Sequence, residues 1–211
     1  MTPTPLFVFD MDDVLYDYDW RVRMTGLSSI TGLDFAELRR RWWNDEGEWA
    51  AEAGRFADAA AYHGAFTRAL GSDIPVAEWI ANRRSAMTPW PDSLDAVRRA
   101  GELGTVGLLT NNGPLVEEHL AELAPELVPL FGDELHTSSF YGARKPDPRV
   151  FANMLAHYDV PADLVFFADD LEVNVEGARS VGIHAHRFTG AAALVEAIER
   201  FAERVAATTR A

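Results

Sequence analysis

The stretch Phe7-Val8-Phe9-Asp10-Met11-Asp12-Asp13-Val14-Leu15 decides how this chain is read. Leu6 to Phe9 is a continuous apolar run that stops at Asp10, the pattern of a short strand buried on both faces of a parallel sheet. The pattern returns twice. Val106 to Leu109 ends in Thr110-Asn111-Asn112, and Leu164 to Phe167 ends, after Ala168, in Asp169-Asp170. Helical stretches separate these runs. After Pro114, the residues Leu115, Val116, His119, Leu120 and Leu123 recur at helical spacing, and Asp147-Pro148 is an N-cap with a first-turn proline ahead of Phe151, Met154, Leu155 and Tyr158. Glu134 to Ser138 and Ile183 to Arg187 are weaker strand candidates, the second following Gly182 as a helix stop. Strands alternating with helices predict an α/β fold with a mostly parallel sheet. Such sheets bind ligands beyond the carboxyl ends of their strands, where the polar residues just named fall.

Between the first two runs lies a segment of different character, residues 17–91. Phe35 to Trp43 and Phe56 to Leu70 favour helix, and five of the six tryptophans (Trp20, Trp42, Trp43, Trp49, Trp79) lie inside it. A crossover this long is an inserted subdomain and not a loop. The tryptophans are expected to fill the core of a small helical bundle, with one or two facing a cleft. The organisation predicted is a core of residues 1–16 and 92–211 and an all-α insertion of residues 17–91.

Composition narrows the partners. The 211 residues carry 19 Lys+Arg against 33 Asp+Glu, a net charge of −14, which disfavours nucleic acid and anionic membranes. The short basic clusters Arg39–Arg41, Arg83–Arg84 and Arg98–Arg99 are expected to be solvated helix faces. The chain has no cysteine, hence no disulfide, thiolate metal site or cysteine nucleophile. With no apolar stretch near the roughly 18 residues of a membrane span and no signal-peptide pattern, a cytoplasmic location is expected.

Asp10, Asp12 and Asp13 stand too close together to remain ionised without compensation, and Asp169-Asp170 add oxygen ligands at another strand end. Aspartates also serve as caps and turn residues, but two clusters at matching strand ends point to a hard divalent ion such as Mg2+. Lys145, in Arg144-Lys145-Pro146-Asp147-Pro148, could act as a point charge toward a nucleophile and a phosphoryl group. Thr110 and Asn111 bring a hydroxyl and an amide to a strand end that leads into a helix N-terminus.

Taken in order, these motifs resemble the haloacid dehalogenase-like hydrolase superfamily. Phe7 to Leu15 is similar to its first motif, Leu108-Leu109-Thr110-Asn111 to the second, Lys145-Pro146-Asp147 to the third, and Phe166 to Asp170 with Asn174, Gly177, Ala178 and Gly182 to the fourth. The insertion falls at the position of the family's helical cap. The resemblance implies a Rossmann-like core and a phosphatase that uses Mg2+. Asp10 would be the nucleophile that forms an aspartyl-phosphate. Asp12 would protonate the leaving alcohol and then deprotonate water. Thr110, Asn111 and Lys145 would hold the phosphoryl oxygens, with Lys145 also on the nucleophile. Magnesium would sit on the Asp10 carboxylate, the Asp12 backbone carbonyl, Asp170 directly and Asp169 through water. Asp13 stands where family members often have glycine, and is expected to cap a turn.

The activity expected is hydrolysis of a small phosphorylated metabolite, with sugar phosphates the first substrate class considered. The alternatives are a phosphomutase and a 2-haloacid dehalogenase of the same superfamily, or a receiver-like or non-catalytic phospho-ligand-binding protein. An acid at Asp12 and the pair Asp169-Asp170 favour phosphate over carbon–halogen chemistry, and the order of the motifs disfavours a receiver. Tyr16, Tyr18, Trp20, Trp43 and Arg84 are candidates for reading the leaving group. The oligomeric state is left open.

Overall fold

The computed structural model describes residues 4–208. In chain order the elements are β1 (Leu6–Phe9), β2 (Tyr16–Tyr18), α1 (Trp20–Thr31), α2 (Phe35–Arg41), α3 (Glu48–Glu52), α4 (Ala59–Leu70), α5 (Val76–Arg84), β3 (Met87–Pro89), α6 (Pro91–Leu103), β4 (Thr105–Leu108), α7 (Pro114–Leu123), α8 (Val128–Phe131), α9 (Pro148–Tyr158), β5 (Val165–Asp169), α10 (Glu172–Ser180), β6 (His184–Arg187) and α11 (Ala191–Thr208).

Four strands form one parallel sheet in the order β4-β1-β5-β6. Its register follows from the two-residue pleat. Leu6 pairs with Val165 and Val8 with Phe167, and these four residues pack with Val150, Phe151 and Met154 of α9 and Ala178 of α10. Phe7 and Phe9 point to the other face, with Val106, Leu108, Phe166 and Ala168, against α6 and α11. Phe7 meets the Phe201 ring edge-on at 5.6 Å. Burying each such side chain contributes ~1.5–3 kcal/mol; both faces of the central strands β1 and β5 are closed by apolar side chains, and their polar residues are left to the strand ends.

The helical insertion enters and leaves through a narrow antiparallel ribbon in which Tyr16 pairs with Pro89 and Tyr18 with Met87. Asp34 and Asp58 cap α2 and α4 by accepting from Glu37 N and Ala61 N. Gly71, at φ +71°, closes α4 in the left-handed conformation that glycine adopts without steric cost. Inside, Trp42, Tyr62, Phe66 and Trp79 make a ring cluster; Trp42 meets Phe66 edge-on at 5.3 Å. A buried acid, Glu48, accepts from both Trp42 Nε1 at 2.6 Å and Tyr62 Oη at 2.8 Å. The insertion rests on the core through α4 and α7. At Gly113 a Cβ would come within 2.8 Å of the Ala51 methyl, which shows how closely the two layers approach.

Two expectations from the sequence are corrected. Glu134 to Ser138 is not a strand: it runs beside β4 with one bridge, Thr110 to Thr137, and two backbone bonds, Leu108 N to Glu134 O and Ser138 N to Thr110 O. A turn at residues 138–142 bends the chain away before a ladder can form. The tryptophans divide more evenly than expected: Trp42 and Trp79 are buried, whereas Trp20, Trp43 and Trp49 line a cavity. Among the described residues no helix is long and apolar enough to cross a membrane.

Candidate active site

Asp10 follows β1 directly, and its backbone N–H still bonds Ala168 O of the neighbouring strand at 2.9 Å, so its side chain leaves the sheet at the carboxyl end. The carboxylate is buried, with Oδ1 accepting from Met11 N. Lys145, also buried, places Nζ 2.9 Å from Asp10 Oδ1 and 2.7 Å from Asp169 Oδ2, and donates to Leu109 O. Asn111 fixes the loop that delivers this lysine: its Oδ1 accepts from Lys145 N and its Nδ2 donates to Lys145 O. The Lys145–Pro146 peptide is cis. Asp169 is held in turn by Leu171 N and Asn174 Nδ2. Thr110 is buried beside this group, its hydroxyl accepting from Asn112 Nδ2 at 2.9 Å.

One ligand oxygen from each of Asp10, Asp169 and Asp170 lies within 4.8 Å of the others. These three carboxylates face the single Lys145 ammonium, an excess of two negative charges in a largely buried space. Burial pushes the Asp10 carboxyl well above its ordinary pKa, with Lys145 opposing and Asp169 reinforcing the shift. Burial and then the Asp169 charge push Asp170 up to about 6. Asp169, although buried, is kept below the usual range by Lys145 and its hydrogen bonds. Burial disfavours the Lys145 ammonium, but the two carboxylates outweigh it and raise its pKa. A hard, oxygen-only donor set short of two positive charges fits a divalent ion of the magnesium type.

The second acid is turned differently. Asp12 lies outside that triad and pairs through Oδ2 with Arg83 Nη2 at 2.8 Å, a residue contributed by α5 of the insertion. Arg83 is almost fully buried and lies over the Tyr18 ring. The expectation that Arg83 belongs to a solvated basic face is therefore wrong, while Arg40 and Arg41 pair with Glu37, and Arg98 and Arg99 with Asp95, Glu102 and Glu199, at the surface as expected. Asp13 occupies a turn at φ +59°, with its carboxylate accepting from Tyr18 N.

Above Asp12 opens a cavity of about 410 Å3 between the insertion and the core. Tyr18, Trp20 and Trp43 line it, as do Asn111 and Asn112. Tyr16 does not: it is buried elsewhere, with Oη donating to Glu126 at 2.6 Å, and Arg84 is solvent-exposed outside the cavity. The wall also contains charged residues that the sequence did not single out, Arg23, Glu48 and Glu52. Their signal was present but ambiguous, since isolated charges inside an amphipathic helix look the same whether they face solvent or a cavity. Asn111, expected to touch substrate, spends its amide on the Lys145 backbone, although it still borders the cavity.

The parallel sheet and the acid–lysine centre at its carboxyl edge define an α/β protein with an enzyme-type site. Residues 4–182 match the family model described as haloacid dehalogenase-like hydrolase, and the chain belongs to that family. It is 31% identical over 189 residues to a phosphatase of Mycobacterium tuberculosis (strain CDC 1551 / Oshkosh), covering 85% of this chain and 84% of that one. A HAD family enzyme of Bacteroides thetaiotaomicron, crystallised with magnesium and inorganic phosphate, superposes with a TM-score of 0.71 at 20% identity, over 88% of this chain and 94% of that one. The L-2-haloacid dehalogenase of Xanthobacter autotrophicus shares the fold at a TM-score of 0.60 and 21% identity, over 88% and 77% of the two chains.

Proposed function

We propose that this protein is a magnesium-dependent phosphatase of small phosphomonoesters that works through an aspartyl-phosphate on Asp10. The observation that carries this reading is the Lys145 ammonium held between Asp10 and Asp169, with Asp170 completing a three-carboxylate cluster. A carboxylate approaches a dianionic phosphate only where positive charge has been assembled first, and this centre has a fixed lysine and a donor set suited to a divalent ion. Asp10, Asp169 and Asp170 would hold that ion, which when bound supplies charge neutralisation and orientation of the phosphoryl group.

In the first step an Asp10 carboxylate oxygen forms a bond to phosphorus, the ester P–O bond breaks, and the leaving oxygen takes the proton carried by Asp12. In the second, water attacks the aspartyl-phosphate, transfers its proton to Asp12 and displaces the Asp10 carboxylate, so that inorganic phosphate leaves. Lys145 steadies the Asp10 oxygen and the phosphoryl charge, and the Thr110 hydroxyl provides a further contact for a phosphoryl oxygen. Residues 17–91 act as a cap over the core of residues 1–16 and 92–211, placing Arg83 against Asp12 and walling the space for the leaving group while water still reaches the phosphoryl group for the second step.

Within this class, sugar phosphates remain one set of substrates to test. The experiment is release of phosphate from p-nitrophenyl phosphate and a panel of metabolite monophosphates, with magnesium and with chelator, and with Asp10→Asn beside the parent. Magnesium-dependent release abolished by Asp10→Asn is expected. Metal-independent turnover, or turnover that survives the substitution, overturns the reading, and recovery of an isomeric phosphate ester in place of free phosphate would make the enzyme a mutase.

A further inference from the structure

Arg23 of α1 is buried at 3% exposure, yet its guanidinium is only partly used. One terminal nitrogen, Nη1, donates to Tyr18 Oη at 3.0 Å; the other, Nη2, is buried without a hydrogen-bond partner. An unpaired buried donor is costly, and this one belongs to a side chain that lines the cavity above Asp12. The indoles of Trp43 and Trp79 flank the guanidinium at 5.6 and 5.2 Å and hold it in place.

The wall carries three arginines, Arg23, Arg39 and Arg83, and three acids, Asp12, Glu48 and Glu52, but one of those acids is drawn off by an arginine outside the cavity. Asp12 is paired with Arg83, and Glu52 with Arg144. Glu48 faces Arg23 electrostatically but has one oxygen already accepting from Trp42 and Tyr62. Arg39, exposed at the rim, contacts only the Phe35 ring among the described residues. Two arginines therefore stand against one partly committed glutamate. The remaining wall is aromatic: Trp20, Phe35 and Trp49 are each 41% exposed, and Trp20 and Phe35 lie 5.2 Å apart at a 33° tilt, a surface for a flat group.

Resting on the phosphatase reading above, we propose that the leaving group of the natural substrate has a flat apolar body that lies against the rings and a single carboxylate that pairs with the Arg23 guanidinium, whose buried Nη2 turns toward the cavity to meet it. A sugar hydroxyl can also accept from this donor, but only an anion adds the stronger charge-assisted bond. The hydrolysis is the same as above: the P–O bond to the leaving oxygen breaks, that oxygen gains the proton, and water supplies the hydroxyl retained by inorganic phosphate.

The test compares kcat/KM for phenyl phosphate, the three carboxyphenyl phosphates and their neutral carboxamide analogues, all with magnesium, in the parent, Arg23→Lys and Arg23→Met proteins. A charge-assisted hydrogen bond predicts that the best carboxylate isomer exceeds its carboxamide by about tenfold or more in the parent. That ratio should fall to about one in Arg23→Met and stay intermediate in Arg23→Lys, whatever the absolute rates. A parent ratio near one overturns the inference even if the variants do not fold, and so does a ratio that Arg23→Met leaves unchanged. Turnover of phenyl phosphate without carboxylate preference defeats this inference alone. Failure to cleave any ester defeats the phosphatase reading beneath it.

Discussion

Arg83 Nη2 stands 2.8 Å from Asp12 Oδ2, joining the inserted helices to the acid two residues beyond the strand end that carries Asp10. The arginine side chain is almost fully buried, and its Nε is buried without a hydrogen-bond partner. The contact that places Asp12 thus also ties the insertion to the core, beside the packing of α4 on α7. Arg83→Ala leaves a partly buried carboxylate unpaired, and breaking such a pair costs about 3 kcal/mol. We expect lower stability in urea unfolding together with a fall in kcat/KM, whereas Arg84→Ala, at the exposed neighbouring position, leaves both near the parent values.

Asp10→Asn and Lys145→Met should separate chemistry from stability. The asparagine keeps the shape of Asp10 and removes a buried charge whose ionisation burial already opposes. The protein should remain as stable as the parent while turnover falls by at least ~10³-fold, as loss of a nucleophile does elsewhere. Lys145→Met instead leaves Asp10 and Asp169 facing each other without their shared cation. Activity and about 3–5 kcal/mol of stability should be lost together, which circular dichroism during denaturation will report.

The core was legible because its central strands β1 and β5 are apolar runs that end at abrupt polar residues. Leu6–Phe9 and the Asp10, Thr110 and Asp169 positions fell where a parallel sheet puts them, and Lys145 was marked by its proline-flanked loop. The insertion was legible only as helix. Whether Arg83 or Arg84 faced inward depended on the roll of α5, and a charged residue that turns inward breaks the apolar periodicity instead of announcing itself. Asn111 was placed correctly at the strand end, but its task as a clamp on Lys145 depends on a loop 34 residues away, which no local pattern encodes.

Gly177 in α10 positions the lysine from behind. A Cβ there would lie 2.5 Å from Pro146 O and 3.1 Å from both the Phe151 ring and Pro146 Cβ. The carbonyl is backbone and cannot rotate away, so Gly177→Ala must push the loop carrying Lys145 away from α10. Overpacking of this kind costs ~1–3 kcal/mol, and kcat should fall although no catalytic atom has changed. Gly101→Ala in α6 is the control: its nearest neighbour would be Val106 Cγ1 at 3.9 Å, ordinary contact. There the gain in helix propensity should make stability equal or higher. If both substitutions behave alike in thermal melts and steady-state rates, the packing account of Gly177 is wrong.

Glu52 in α3 gives the stability a pH dependence of definite sign. Its carboxyl is pushed up to about 7, by burial first, with Arg144 opposing and the Glu48 charge adding to the rise. The groups facing it are Arg144 at 2.6 Å, Glu48 on its own helix and, more weakly, Lys145. A raised carboxyl pKa means that the folded chain holds this proton more tightly than the unfolded one, whose ordinary value is near 4.5. The stabilising contribution is therefore complete below about 4.5 and is lost as pH rises through about 7. The full change is on the order of 3 kcal/mol at 1.36 kcal/mol per pKa unit. Urea unfolding from pH 4.5 to 8.5 should show a downward slope that Glu52→Gln flattens. Arg144→Met removes the opposing charge and should carry the slope to higher pH. A parent and Glu52→Gln protein with parallel pH profiles would rule out Glu52 as the titrating group.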